Sequence, residues 1–350
     1  MATLGGLALT LGDWAKRVDP EGKVDVIINI LSQTNEILTG ALFIEGNLPT
    51  GHQTTYRTGL PKGTWRQINQ GVAPSKSSTA QGTDSFGDLE AYSDIDIALA
   101  KLNGNTPEFR LSEDMAFMEG MNQQVAGALI YSNALNTSQQ IMGLAPRYST
   151  VNTAIVNTAN NVVDCGGTGS TNTSMWIVVW GPNAICGLIP KGEVAGLQHR
   201  DLGERTLMQV VGNGQSQLQV YTTHFKWMLG LCVRDWRYGV RICNIDVTQL
   251  GGSNAPNLIN ALIKGLNKLP TAPAGVNAVQ KTDAANNNTV MGRTEIYFNR
   301  TVRTYLEIQA VNKPNVLLNI QEFDGMVVTR FRGVKCATVD QILNTEARVA

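Results

Sequence analysis

The longest helical pattern in the chain runs from Thr106 to about Asn133, and it sets a length scale for everything else. Thr106 is placed to cap it, and Pro107 stands in the first turn, where a missing N–H costs nothing. Leu111, Met115, Met118, Val125 and Leu129 recur at helical spacing and predict one apolar stripe, while Glu113, Glu119, Asn122 and Gln123 fall largely elsewhere. Roughly 28 residues at 1.5 Å each give a rod of about 40 Å, long for a globular helix. Such a rod needs other elements laid along it, so it is expected to be the spine of a subunit.

The remaining elements are mixed. Val24, Ile28, Leu31, Leu38 and Leu42 follow the turn-prone Asp19 to Gly22 at helical spacing and predict an amphipathic leader. Gln53 to Arg57 and Thr64 to Ile68 read as the two arms of an exposed hairpin around Thr58 to Gly63. Its large apolar groups, Tyr56, Leu60 and Trp65, are too few to form a core of their own, so it must lie on something else. Ser75 to Phe86 reads as a loop and Leu89 to Leu102 as a short helix. Asn157 to Ser174 is a loop rich in Gly, Asn and Thr. Met175 to Trp180 is a buried strand by its β-branched and aromatic content, stopped at Gly181-Pro182. Gln217 to Val247 predicts consecutive antiparallel strands, Pro256 to Leu266 a helix, Pro270 to Asn288 a loop and Thr301 to Val311 a helix. Val316 to Ile320 and Met326 to Phe331 close the chain with strands. The fold class is α+β.

Composition narrows the function. Of 350 residues, 43% are hydrophobic and only 16% charged, against roughly 25% charged in ordinary soluble domains. A protein that buries its surface against copies of itself has this balance. Lys plus Arg equals Asp plus Glu at 28 each, so no positive excess exists to drive counterion-releasing contact with nucleic acid. Five scattered cysteines with no C-x-x-C pair and no zinc-ligand spacing point to a reducing, cytoplasmic site of folding. Met1 to Leu11 lacks the basic start of a signal peptide, and no stretch reaches the ~18 apolar residues of a membrane helix, so a soluble protein without membrane contact is expected.

Catalytic chemistry finds no foothold. His52, His199 and His224 have no carboxylate at metal-binding spacing. Cys186 with His224 is the one nucleophile-and-base pair to weigh, for a thiol-dependent enzyme, but a buried cysteine in a strand is commonplace. Asp164 to Gly169 is Gly-rich, yet a strand follows where a phosphate loop is followed by a helix. No catalytic, cofactor-binding or metal residue is assigned, and no cofactor is expected.

Four segments carry a resemblance. They are Tyr56-Arg-Thr-Gly-Leu-Pro61 with Trp65-Arg66; Trp176-Ile-Val-Val-Trp-Gly-Pro-Asn183; Pro190-Lys-Gly192 with Ala195-Gly-Leu-Gln198 and Asp201-Leu-Gly-Glu204; and Val233-Arg-Asp-Trp-Arg-Tyr238 leading into Arg241-Ile242 and Asn244-Ile-Asp246. Together they resemble the major capsid proteins of short-tailed phages related to epsilon15, a branch of the HK97-like capsid fold.

The resemblance implies a virion structural protein that self-assembles as hexamers and pentamers into an icosahedral shell around double-stranded DNA. It implies an N-terminal arm at 1–47, an extended loop (E-loop) at 48–88, a peripheral domain with the spine helix at 89–140, an axial domain at 141–312 and a return to the peripheral domain at 313–350. The E-loop would lie over a neighbouring subunit, which makes Tyr56, Arg57, Leu60, Lys62, Trp65 and Arg66 the candidate intersubunit contacts. Implied partners are other copies of the chain, a separate scaffolding protein, a portal, a cement protein and packaged DNA touched non-specifically on the inner face. Assembly would take place in the host bacterial cytoplasm. A tail-tube or other virion protein is the alternative within the same class.

Overall fold

The computed structural model describes residues 9, 11, 13, 17, 31–104, 106–211, 214–252, 255–270, 280–283, 288–291, 293–311, 318–323 and 326–350. They group into two compact units through which the chain passes repeatedly. The smaller gathers 88–126 and 194–228 with the described residues before 35; the larger gathers 35–87, 127–193 and 229–350. Among the described residues three helices exceed two turns: α1 (Thr106–Tyr131), α2 (Leu258–Lys268) and α3 (Arg300–Val311).

The larger unit is built on a mixed sheet. Its strands are β1 (Phe43–Glu45), β2 (Gly51–Gly59), the first part of β3 (Ser78–Asp96), β4 (Val162–Asp164), β5 (Asn172–Trp180) and β6 (Ile185–Ile189). After β7 (Gln198–Val211) come the last residues of β8 (Gly214–Val233), then β9 (Gly239–Asp246). A separate short hairpin pairs β10 (Gln280–Asp283) with β11 (Asn288–Met291). The sheet is completed by β12 (Arg293–Phe298), β13 (Leu318–Phe323), β14 (Met326–Phe331) and β15 (Val334–Thr338). The main path runs β13-β14-β15-β12-β5-β6-β8-β3-β2, with β1 on β6, β9 on β5 and β4 on β9.

β5 is the centre of that sheet because every one of its residues is buried, as its run of Met, Trp, Ile and Val demands. Met175, Ile177, Val240, Ile242 and Ile296 form a core with Leu258, Ile259 and Leu262 of α2 and Val302 and Leu306 of α3. A Cβ on Gly265 would stand 2.8 Å from Ile177 Cδ1, so the glycine is what lets α2 seat closely on the sheet. Asn257 caps α2, its side chain accepting from the Asn260 N–H at 3.0 Å.

A buried ion pair fastens the C-terminal segment of this unit. The Arg241 guanidinium donates to Glu346 Oε2 at 2.9 Å, to Ser174 Oγ at 3.2 Å and to the Tyr148 carbonyl at 3.0 Å, and lies 5.1 Å over the Trp176 ring. The Tyr131 and Ser174 hydroxyls donate to the same carboxylate. Each charge is therefore matched by hydrogen bonds as well as by its opposite, the condition for tolerating burial.

In the smaller unit α1 lies on the β7–β8 hairpin, which is antiparallel from Gln198↔Lys226 to Val211↔Gly214. Phe117 stacks on the buried Phe225 with centroids 5.9 Å apart. Phe109 closes a cluster with Ile95, Leu99 and Ala100. Arg110 donates to Asp201 at 2.7 Å and sits 5.0 Å over the Tyr221 ring; that hydrogen bond, with the one from the Gly203 N–H, lowers the Asp201 pKa.

The predicted helices at 106–133, 256–266 and 301–311 are α1, α2 and α3, and the predicted strands at 175–180 and 326–331 are β5 and β14. Several expectations are corrected. On α1 the residues Leu111 and Met115 are 58% and 55% exposed; the buried face carries Phe109, Met121, Val125, Ala126, Leu129 and Ile130. Apolar residues occur on two sides of this helix, and periodicity cannot say which side meets Phe225. Thr106 does not act as a cap, since its hydroxyl donates to the Ala100 carbonyl at 3.0 Å.

The second arm of the exposed hairpin is β3, not Thr64 to Ile68. β3 absorbs the expected loop at Ser75 to Phe86 and most of the expected helix at Leu89 to Leu102, of which one turn, Ile97–Ala100, survives. Its Ser, Thr, Gln and Gly residues have no strand signature; pairing of 51–59 with 78–85 supplies the order. The expected loop at Asn157 to Ser174 contains β4 and a 3-10 turn, and the expected loop at Pro270 to Asn288 contains β10. β8 and β9 are strands as expected but pair with other partners, not each other. Of the leader, Val24 and Ile28 lie outside the described residues, Leu31 is exposed and Leu38 belongs to a single turn at Ile37–Gly40. Val316 also lies outside the described residues, and β13 begins at Leu318.

Candidate functional site

The feature that sets this chain apart is the β2–β3 hairpin of the larger unit, whose root is fixed and whose tip is bare. At the root, Asn47 brackets Gln53, donating from Nδ2 to its carbonyl and accepting its N–H, both at 2.8 Å. His52 is 5% exposed; its Nδ1 accepts from the Asn47 N–H at 3.2 Å and its Nε2 faces Arg234 Nη2 at 2.8 Å. Burial, reinforced by Arg234, holds the His52 pKa below its ordinary value. Opposite it, Arg147 forms an ion pair with Asp84 at 2.8 Å and donates to the Leu231 carbonyl at 3.1 Å.

Of the sequence-predicted contact residues, Tyr56 and Arg57 stand on β2, while Leu60, Lys62, Trp65 and Arg66 stand in the connection between β2 and β3. Tyr56 is half-buried: its ring passes over Gly82, where a Cβ would lie 2.8 Å away, and its hydroxyl donates to the Val233 carbonyl at 3.5 Å. It braces the hairpin from within. Arg57 is exposed, as is every residue from 60 to 77. Trp65 is 102% exposed, Ile68 91%, Leu60 74% and Val72 53%.

The tip holds its shape by polar contacts alone. Arg66 donates to the Gln70 carbonyl at 3.1 Å and Ser75 to the Lys62 carbonyl at 3.0 Å. No acidic residue occurs between Glu45 and Asp84, while Arg57, Lys62, Arg66 and Lys76 do. The connection is thus a cationic strip studded with four large apolar side chains that no part of the described chain covers. Ile68 and Val72 belong to this set and were missed by the sequence reading, which had placed Ile68 in a strand; their signal was the lack of any partner pattern nearby.

The groups that chemistry would need are occupied elsewhere. Cys186 is fully buried beside Cys232, and His224 stacks on Tyr92 at 4.5 Å with Glu90 3.5 Å from its Nε2. In the Gly-rich turn at 164–169, the Gly166 N–H donates to Asp164 and the Gly167 N–H to the Asn244 carbonyl, which leaves neither for a phosphate. Among the described residues no cluster of three or more metal-ligating side chains occurs, and no helix is long and apolar enough to cross a membrane.

Comparison with known proteins gives a consistent picture. A family model described as major capsid protein GP7 matches residues 19–350. The near-atomic-resolution cryo-EM structure of bacteriophage epsilon15 superposes with a TM-score of 0.76 at 35% identity, covering 100% of this chain and 99% of that one. The bacteriophage JBD30 capsid aligns over 89% of this chain and 92% of its own with 9% identity and a TM-score of 0.44. No curated protein sequence matches.

Proposed function

Because this chain belongs to the major capsid protein GP7 family, we propose that hexamers and pentamers of this one subunit close the shell, each laying the connection at 60–77 over a neighbouring copy. The chain is a shell-forming structural protein of a phage virion with an α+β, HK97-like fold. The observation that carries the finer reading is the bare apolar tip: Leu60, Trp65, Ile68 and Val72 gain burial only from another molecule. Arg57, Lys62 and Arg66 form the polar rim of that contact, and Tyr56 supports it from the root. Contacts of this kind, several per subunit, close a shell cooperatively even when each is weak.

In this reading 1–47 is the N-terminal arm, 48–88 the E-loop, 89–140 the peripheral domain with α1, 141–312 the axial domain and 313–350 the return to the peripheral domain. The grouping of 194–228 with α1 supports adding the β7–β8 hairpin to the peripheral part. A separate scaffolding protein, a portal, a cement protein and double-stranded DNA are the further partners, with assembly in the bacterial cytoplasm. The balanced charge of the chain supports only glancing, non-specific DNA contact.

The test is electron microscopy of the full chain expressed alone and with its phage's candidate scaffolding protein, in wild type and with 60–77 replaced by a short Gly-Ser turn. Closed particles from the wild type and folded, unassembled subunits from the variant are expected. Closed particles from the variant at wild-type concentrations would remove the tip from the assembly contacts.

A further inference from the structure

We propose that Cys186 and Cys232 form a cross-strand dithiol that closes to an intramolecular disulfide when the protein meets a hydroperoxide. Cys186 on β6 and Cys232 on β8 are direct partners in antiparallel register, between the pairs Ile185↔Val233 and Gly187↔Leu231. Residues so placed have Cβ atoms about 4.5–5.5 Å apart, against the ~3.5–4.5 Å of a disulfide, so a small approach of two strands suffices. Both are free cysteines and both are buried. They share one apolar cluster with Leu188, Ile44 and Phe86.

The other three cysteines lack this arrangement. Cys243 Sγ donates to the Val163 carbonyl at 3.6 Å, and its partner in register is Asp164, not Cys165. Burial pushes the thiols of Cys165, Cys243 and Cys336 up to about 12. Cys232 differs in direction. The neighbouring Cys186 thiol lowers its pKa, and Thr54 Oγ1, 3.6 Å away, adds to the effect. Either thiol of the pair can attack, with the other as its resolving partner.

One of the two sulfurs attacks one peroxide oxygen and breaks the O–O bond, giving a sulfenic acid and hydroxide. The other thiol then attacks that sulfur, forming the S–S bond and expelling a second hydroxide. The two thiol protons convert both hydroxides to water, so one peroxide is reduced as two thiols are oxidised. Thr54 on β2 stands against Cys232. The product ties β6 to β8 across a connection that contains β7; on the proposed reading of cytoplasmic assembly, the protein meets oxidising surroundings only after it leaves the cell.

The full chain is incubated with hydrogen peroxide, quenched with catalase, denatured and labelled with N-ethylmaleimide. Intact mass should show three labels where the reduced protein takes five, and proteolysis without reductant should yield one peptide pair joining Cys186 to Cys232. Oxidised protein should melt at higher temperature, and dithiothreitol should reverse the shift. Five labels after treatment, a link between copies, or a bridge through Cys165, Cys243 or Cys336 would overturn the assignment. Cys186→Ala and Cys232→Ala should each keep four labels; if either fails to fold, the wild-type peptide map decides alone.

Discussion

Replacing Trp65 with Ala separates folding from assembly. Trp65 is 102% exposed in the subunit, so its truncation should change the stability of the isolated subunit by less than about 0.5 kcal/mol. The effect on association follows from the area available. A tryptophan offers roughly 150–250 Å², which at about 25 cal/mol per Å² bounds the gain at about 4–6 kcal/mol. Ordering of the tip and imperfect pairing consume part of that, and buried aromatic anchors typically cost about 2–4 kcal/mol when truncated. With one such contact per subunit, the concentration at which shells appear should rise about 30- to 700-fold, since each 1.4 kcal/mol is a factor of about ten.

Light scattering and sedimentation of dissociated subunits across a dilution series give that threshold, and circular dichroism melting of the same samples gives subunit stability. A threshold shift below about threefold with unchanged melting would refute Trp65 as an anchor. A fall in subunit melting of more than about 5 °C would instead refute the claim that the tip is uncovered within the subunit. Lys62→Gln serves as a control: as a rim cation it should alter the salt dependence of the threshold and little else.

Three further outcomes follow from the geometry. Met121→Ala should cost about 2–5 kcal/mol in urea unfolding while Met115→Ala costs under about 0.5 kcal/mol; the reverse order would restore the face of α1 that the sequence suggested. Glu346→Ala leaves Arg241 buried without its partner and should cost about 3–5 kcal/mol, whereas a loss below 1 kcal/mol in the same assay would mean water reaches the pair. The depressed pKa of His52 means the fold favours its neutral form, so this contribution is complete above the ordinary value near 6.5 and is lost as pH falls below it. Melting temperatures at pH 7.5 and 5.0 should therefore diverge more for wild type than for His52→Asn, and equal divergence would assign the acid sensitivity to other groups.

The hairpin shows how composition and structure divided the work. A Thr- and Gly-rich stretch with isolated Tyr56, Leu60 and Trp65 was enough to show that this region lacks a core, since core formation depends on apolar content that can be counted. Its second strand was invisible, because β3 is ordered by backbone hydrogen bonds to β2 and not by the side chains that propensity reads.

The sequence by itself determined the three long helices, the buried strand β5 and, through scattered motifs, the family. These rest on local periodicity, on β-branched and aromatic runs, and on residue identity, all of which are written along the chain. Tertiary structure alone decided which face of α1 is buried, which thiols meet across β6 and β8, and that Arg241 finds Glu346 over 105 positions of chain. Each of those depends on the register between strands and on the surface a helix meets, and such long-range choices follow from the packing of the whole unit, where no single segment carries the information.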